Sequence, residues 1–124
     1  MKLNDMQIRQ GDVLFVKIAG RPNWARNAER DQAQRLVAEH GESSGHAHAI
    51  RDKNALGFRA TTPENAALAG LDYVEVGGSE AVTMRHEFID GRHAEHAPVS
   101  LAPGGWERAV QVEYDPEEER RVAD

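Results

Sequence analysis

Glu80-Ala81-Val82-Thr83-Met84-Arg85-His86 is the stretch whose reading decides the fold class. Val82, Met84 and His86 share one parity, and Ala81, Thr83 and Arg85 share the other. A period of two sets the first group on one face of a β-strand and the second group on the opposite face. Just upstream, Asp72-Tyr73-Val74-Glu75-Val76 alternates again and ends in the turn residues Gly77-Gly78. Near the start, Val13-Leu14-Phe15-Val16-Lys17-Ile18 is an apolar, β-branched run between Gly11-Asp12 and Gly20-Arg21-Pro22. It reads as a strand buried over most of its length.

The same signals predict strands around Leu36-Val37 within 35–40, over His46-Ala47-His48-Ala49-Ile50, and over 56–60, 97–101 and 106–114. Turn chemistry separates them, as at Gly41-Glu42-Ser43-Ser44-Gly45 and Ala102-Pro103-Gly104-Gly105. Residues 23–34 read equally as a loop or a short helix, because Ala25, Ala28, Leu36 and Val37 make only a weak apolar stripe. Thr62-Pro63-Glu64-Asn65 has the form of a helix start, with Thr62 as N-cap and Pro63 first in the helix. Asp115-Pro116-Glu117-Glu118-Glu119 followed by Arg120-Arg121 predicts a short C-terminal helix with charges that suit its dipole. The expectation is a single, mainly β domain over 1–124, a small antiparallel β-barrel or sandwich with a short C-terminal helix.

Composition bounds the function. The chain has 124 residues, with 15 Lys+Arg against 21 Asp+Glu, for a net charge of −6. An acidic chain without a basic stripe argues against a nucleic-acid partner. No apolar run approaches the roughly 18 residues of a membrane helix, and Met1 to Met6 lacks the apolar centre of a signal peptide. With no cysteine, disulfides and thiolate metal sites are excluded, which fits a soluble cytoplasmic protein. The core is thin: Val, Ile, Leu and Phe number 24, while 18 residues are Ala. So small a core predicts help from a metal or from a homo-oligomer.

The six histidines all lie between residues 40 and 96. In His46-Ala47-His48, strand alternation sends both rings to one face, about 7 Å apart at Cα, a spacing from which two imidazoles can reach one ion. His86, His93 and His96 form a second group, with His93-Ala94-Glu95-His96 entering a strand. Imidazoles suit a divalent transition metal such as Zn, Fe, Mn, Ni or Cu. Glu42, Glu87 and Glu95 are the carboxylates at hand as further ligands or a general base. Each motif alone is weak, since solvated histidines are common; together in a thin-cored chain they weigh evenly against that reading. Trp106 reads as a core anchor of its hairpin, and Trp24 as a structural residue at the core margin. Ser43-Ser44 beside His46 lacks the turn of a catalytic serine.

Two resemblances attach to these residues. The His46-Ala47-His48 strand with Gly41 and Gly45 before it, and His86 or His96 as a later histidine, resembles the cupins. That resemblance implies a metal in the mouth of a β-barrel and a metal-dependent hydrolase, isomerase or oxygenase. The nearest acid after His48 is Asp52, and the Pro103-Gly104 turn follows the last histidine, both departures from the cupin pattern. Across more of its length the chain is similar to a group of small uncharacterised bacterial and phage-associated proteins. The shared segments are Gln10-Gly11-Asp12-Val13, Gly45-His46-Ala47-His48, Glu95-His96-Ala97-Pro98, Pro103-Gly104 and Gln111-Val112-Glu113-Tyr114. This second resemblance implies the extent of the fold and no particular reaction. Phe88 to Arg92 reads as an insertion in its pattern, which leaves His86 and His93 as alternatives for one position.

The sequence thus predicts a protein that binds one divalent transition metal through His46, His48 and His96, with His86 or His93 as the fourth ligand. A cupin-like metal enzyme acting on a small molecule is one alternative. A metal-free interaction or assembly module, phage-associated or homo-oligomeric, is the other.

Overall fold

The computed structural model of the protein describes residues 6–41, 45–61 and 69–109. Ten strands and no helix occur among them. They are β1 (Gln7–Gln10), β2 (Val13–Ile18), β3 (Arg26–Ala28), β4 (Leu36–His40), β5 (His46–Ile50), β6 (Ala55–Arg59), β7 (Tyr73–Val76), β8 (Val82–Phe88), β9 (Val99–Leu101) and β10 (Gly104–Ala109). One sheet has six strands in the order β1-β2-β10-β7-β6-β3, and the other has four in the order β4-β5-β8-β9. Every strand pairing is antiparallel.

One apolar cluster draws on both sheets. Val13, Phe15, Val74, Val76 and Trp106 come from the six-stranded sheet, and Leu36, Ala38, Ile50, Val82, Met84 and Leu101 from the four-stranded one. Few residues suffice because several are large: Trp106, Tyr73, Phe15 and Phe58 are all fully buried. Each such side chain contributes about 1.5–3 kcal/mol by leaving water. Trp106 also donates its indole N–H to the Ala102 carbonyl at 2.8 Å, so its burial leaves no polar atom unpaired.

The alternation over 80–86 holds in β8: Val82, Met84 and His86 are buried, while Thr83 and Arg85 on the other face are not. Trp24, by contrast, is 38% exposed and stands outside the core. The expectation of a closed barrel does not hold. Each sheet ends on edge strands, β1 and β3 in one, β4 and β9 in the other. Where β1 lies beside β9, the link is a side chain and not a ladder: the Gln10 amide donates to the carbonyls of Met84 and Ala97 at 2.9 and 2.8 Å.

Residues 23–34 contain no helix. Their regular part is β3, paired with β6 from Arg26↔Arg59 to Ala28↔Gly57. The Asp31 carboxylate then accepts the backbone N–H groups of Ala33 and Arg35, which closes a tight loop and sets the entry to β4. The final strand begins at Gly104, two residues before the predicted start, because the glycines join the ladder against β7. A Cβ at Gly105 would strike the Tyr73 ring, so only glycine fits beneath it. The helix start at Thr62, the end of the strand predicted to Tyr114 and the C-terminal helix fall outside the described residues.

Candidate metal centre

β5 is an inner strand of the four-stranded sheet, between β4 and β8. Its alternation sends His46, His48 and Ile50 to the face between the sheets, with Ile50 in the main core. Ala47 and Ala49 pack with Val37 in a separate cluster on the outer face. The register aligns Ile50 with Met84, His48 with His86 and His46 with Phe88. Along this one ladder the core changes from hydrocarbon to imidazole.

A third segment arrives after β8. The Ala94 N–H donates to the His86 carbonyl at 2.8 Å, and an isolated bridge joins Glu87 to His93. These contacts lay residues 94–96 against the ladder and bring in His96. The turn between β1 and β2 supplies the opposite wall. Gly11 has φ +59°, as a two-residue hairpin with glycine first requires. A Cβ at Gly11 would lie 2.7 Å from His96 Nε2, so glycine also makes room for the ring.

Four of the five candidate histidines are thereby gathered. The His48 and His86 rings stack with centroids 4.3 Å apart and planes 10° from parallel. His46 meets His86 edge-on at 4.5 Å. His96 lies 4.9 Å from His86 and 6.1 Å from His48. His93 is exposed, bridged through its backbone, and has no ring contact with the others.

The hydrogen bonds fix the protons. His86 Nδ1 accepts from two backbone N–H groups, Glu95 at 3.1 Å and His96 at 3.0 Å. A nitrogen that accepts two bonds carries no proton, so the neutral ring is protonated on Nε2. That N–H donates to His46 Nδ1 at 2.8 Å. His48 Nδ1 lies 2.8 Å from Gln10 Oε1. Because the Gln10 amide nitrogen is spent on two carbonyls, its oxygen faces the ring and accepts, and His48 donates from Nδ1. The lone pair of His48 is then on Nε2.

Burial favours the uncharged form of His48 and His86. His48 is 7% exposed, and burial followed by the fields of His86, His96, Arg108 and His46 pushes its pKa down to about 4. His86 is also lowered, first by burial and then by His46 and His96. The carboxylates contribute less than their sequence positions suggest. Glu87 is buried, but as the neighbour of His86 along β8 it points to the other face, where Arg51 Nε donates to it at 2.8 Å. Glu95 is exposed, and its carboxylate acts on His86 through its charge, while its backbone N–H bonds the ring. Glu42, Ser43 and Ser44 fall outside the described residues.

Among the described residues, no group of three or more His, Asp or Glu side chains forms a ready-made ion site. The ring planes explain this. Lone pairs lie in the imidazole plane, so stacked His48 and His86 do not aim at one point. The residue that the histidine pattern did not reveal is Gln10, which is buried, orients His48 and joins the two sheets. Its signal was present as the first residue of the Gln10-Gly11-Asp12-Val13 segment, although nothing there connects it to residues nearly 40 positions away.

Residues 9–111 match the family model described as Domain of unknown function (DUF8820), a span that contains all four gathered histidines and Gln10. No curated protein and no solved structure matches the chain. Among the described residues, no helix is long and apolar enough to cross a membrane.

Proposed function

The chain belongs to the DUF8820 family, and we propose that this domain binds one divalent transition metal through His46, His48 and His96, with His86 as the ring that positions them. The observation that carries the reading is the meeting of four imidazoles from three separate segments at one corner, His48 and His86 buried within it and His96 at its exposed side. Two imidazoles on one tetrahedral ion have ring centres about 5 Å apart, from metal–nitrogen bonds of about 2.0 Å. Two of the proposed ligands, His48 and His96, have ring centres 6.1 Å apart, and His86 lies 4.3 to 4.9 Å from all three.

His48 is prepared as a ligand. Its Nδ1–H is held by an amide oxygen, as the outer nitrogen of a metal-bound histidine usually is, and its Nε2 lone pair is free of a proton. The depressed pKa keeps protons from competing with the ion near neutrality. His86 is the least suited to ligate, because both of its nitrogens are already in hydrogen bonds. An all-nitrogen set favours zinc, copper, nickel or iron over magnesium or calcium.

The test is elemental analysis of untagged protein, with thermal melts before and after chelation. One metal per chain, a lower Tm after chelation, and loss of the metal in His48→Ala are the expected results. Protein that retains no metal, and whose Tm ignores zinc, iron, manganese, nickel and copper, refutes the proposal. The second reading, favoured by the full satisfaction of His86, is a metal-free polar cluster that fastens the two sheets. Its mark is a melt that chelation leaves unmoved but His86→Ala lowers.

A further inference from the structure

A cavity of about 820 Å³ opens on the outer side of the four-stranded sheet, on the face opposite the histidines. Its wall includes Val37, which packs with Ala47 and Ala49, and these alternate with the inward His46 and His48. Four arginines line it, Arg26, Arg30, Arg35 and Arg59, against two acids, Glu29 and Asp31. This excess of positive charge stands in a chain whose net charge is −6.

The partners of these guanidinium groups leave most of their charge uncompensated. Arg30 donates only to backbone carbonyls, those of Gln34, Arg51, Asp52 and Ala55. Arg59 likewise donates to the carbonyls of Gly70 and Ala69. Carbonyls fix a guanidinium in place but do not neutralise it. Arg35 gives Nε to the Asp31 carboxylate at 2.9 Å, yet its Nη1 is buried without a hydrogen-bond partner among the described residues. Arg35 is only 4% exposed, and a charged donor buried without an acceptor is costly. Arg26 is exposed, and among the described residues its side chain has neither a hydrogen bond nor an ion pair. The cavity also has an apolar side: Val37, and Ile89, which is 45% exposed at its rim.

We propose that this cavity binds a small organic oxyanion, its carboxylate or phosphate end held by Arg35 and Arg26 and its apolar part lying against Val37 and Ile89. Arg35 and Asp31 are rigidly presented, because the Asp31 carboxylate is tied to both the backbone and the side chain of Arg35. A planar or tetrahedral oxyanion in the cavity meets the exposed Arg26 guanidinium and lies beside that of Arg35, whose positive charge it offsets although Nη1 itself is closed to solvent. The volume fits a small molecule with room beyond the anionic group itself. The site shares no residue with the histidine cluster.

The experiment is a titration of full-length ¹⁵N-labelled protein with sodium phosphate and, separately, sodium acetate. Ionic strength is held constant with sodium chloride, and the arginine Nε–H and backbone amide signals are followed. Saturable shifts at Arg35 Nε–H, Val37 and Ile89 are expected for at least one anion, and the stronger of the two identifies the phosphate or the carboxylate class. Arg26→Gln is the informative variant, since its exposed side chain supports nothing else and the fold remains intact. It should weaken binding about tenfold, the worth of one charge-assisted hydrogen bond. Arg85→Gln, the same charge change on an exposed strand position outside the cavity, should leave binding unchanged. If neither anion gives a saturable response, or if the two variants weaken binding equally, the proposal fails.

Discussion

Gln10 shows how much one buried amide can organise. Its side chain satisfies the Met84 carbonyl of the other sheet, the Ala97 carbonyl of the segment leading into β9, and one imidazole, and all three bonds are 2.8 to 2.9 Å long. Gln10→Ala would leave the Met84 and Ala97 carbonyls and the His48 N–H without partners in a buried corner. The expected loss is about 1–3 kcal/mol of stability, read from urea denaturation of metal-free protein. If the corner holds a metal, the same substitution should also weaken it about 10- to 100-fold, because His48 loses the contact that fixes its ring. A stability change within a few tenths of a kcal/mol would show that water replaces the amide freely. At this scale the sequence was half legible. The pair His46 and His48 announced itself through spacing alone. Gln10 did not, since a glutamine before a Gly-Asp turn reads as a surface residue until the second sheet is placed over it.

The elements divide along the same line. β5 and β8 were readable because each alternates in sequence, β8 between buried Val82, Met84 and His86 and the more exposed Thr83 and Arg85, and β5 between histidines and small alanines that pack on opposite faces. β1 and β3 were not readable. Their sequences, Gln7-Ile8-Arg9-Gln10 and Arg26-Asn27-Ala28, are polar edge strands that exist because β2 and β6 offer them a ladder. The arginine cavity was hidden for a related reason: its four guanidinium groups are spread from residue 26 to residue 59 and share no motif. The segment after β8 depends on a side chain in the same way. His86 Nδ1 holds the N–H groups of Glu95 and His96 and so pins 94–96 to the sheet. His86→Ala should therefore release those two amides, and hydrogen exchange should speed up at Glu95 and His96 while the Ile50 and Met84 amides of the central ladder stay protected. Unchanged exchange at both positions would mean that the Glu87–His93 bridge holds the segment without the ring.

For the molecule as a whole, a buried histidine corner makes stability depend on pH in a direction that can be worked out. His48 has its pKa depressed from 6.5 to about 4 in the folded state, with burial the main cause. Between those values the unfolded chain binds a proton that the folded chain refuses, so stability falls as pH drops through that window. Above 6.5 the ring is neutral in both states and contributes no slope. His86 is shifted in the same direction and adds to the loss. Asp31, which burial pushes up but which hydrogen bonds from Arg35 and Ala33 and the Arg35 charge together hold below its ordinary 3.8, stabilises the fold above that value and gives way only in stronger acid. Acid destabilisation should accordingly begin near pH 6.5 and not near 4, with a slope approaching about 1.4 kcal/mol per pH unit for each histidine that stays neutral. The check is denaturant unfolding of chelated protein at a series of pH values, beside His48→Gln, which should lower the slope by up to one histidine's share. A stability that stays level from neutrality down to the carboxylate range would mean that the corner opens to water and takes up protons while folded. The stacked rings would then be one of several arrangements that the two sheets permit.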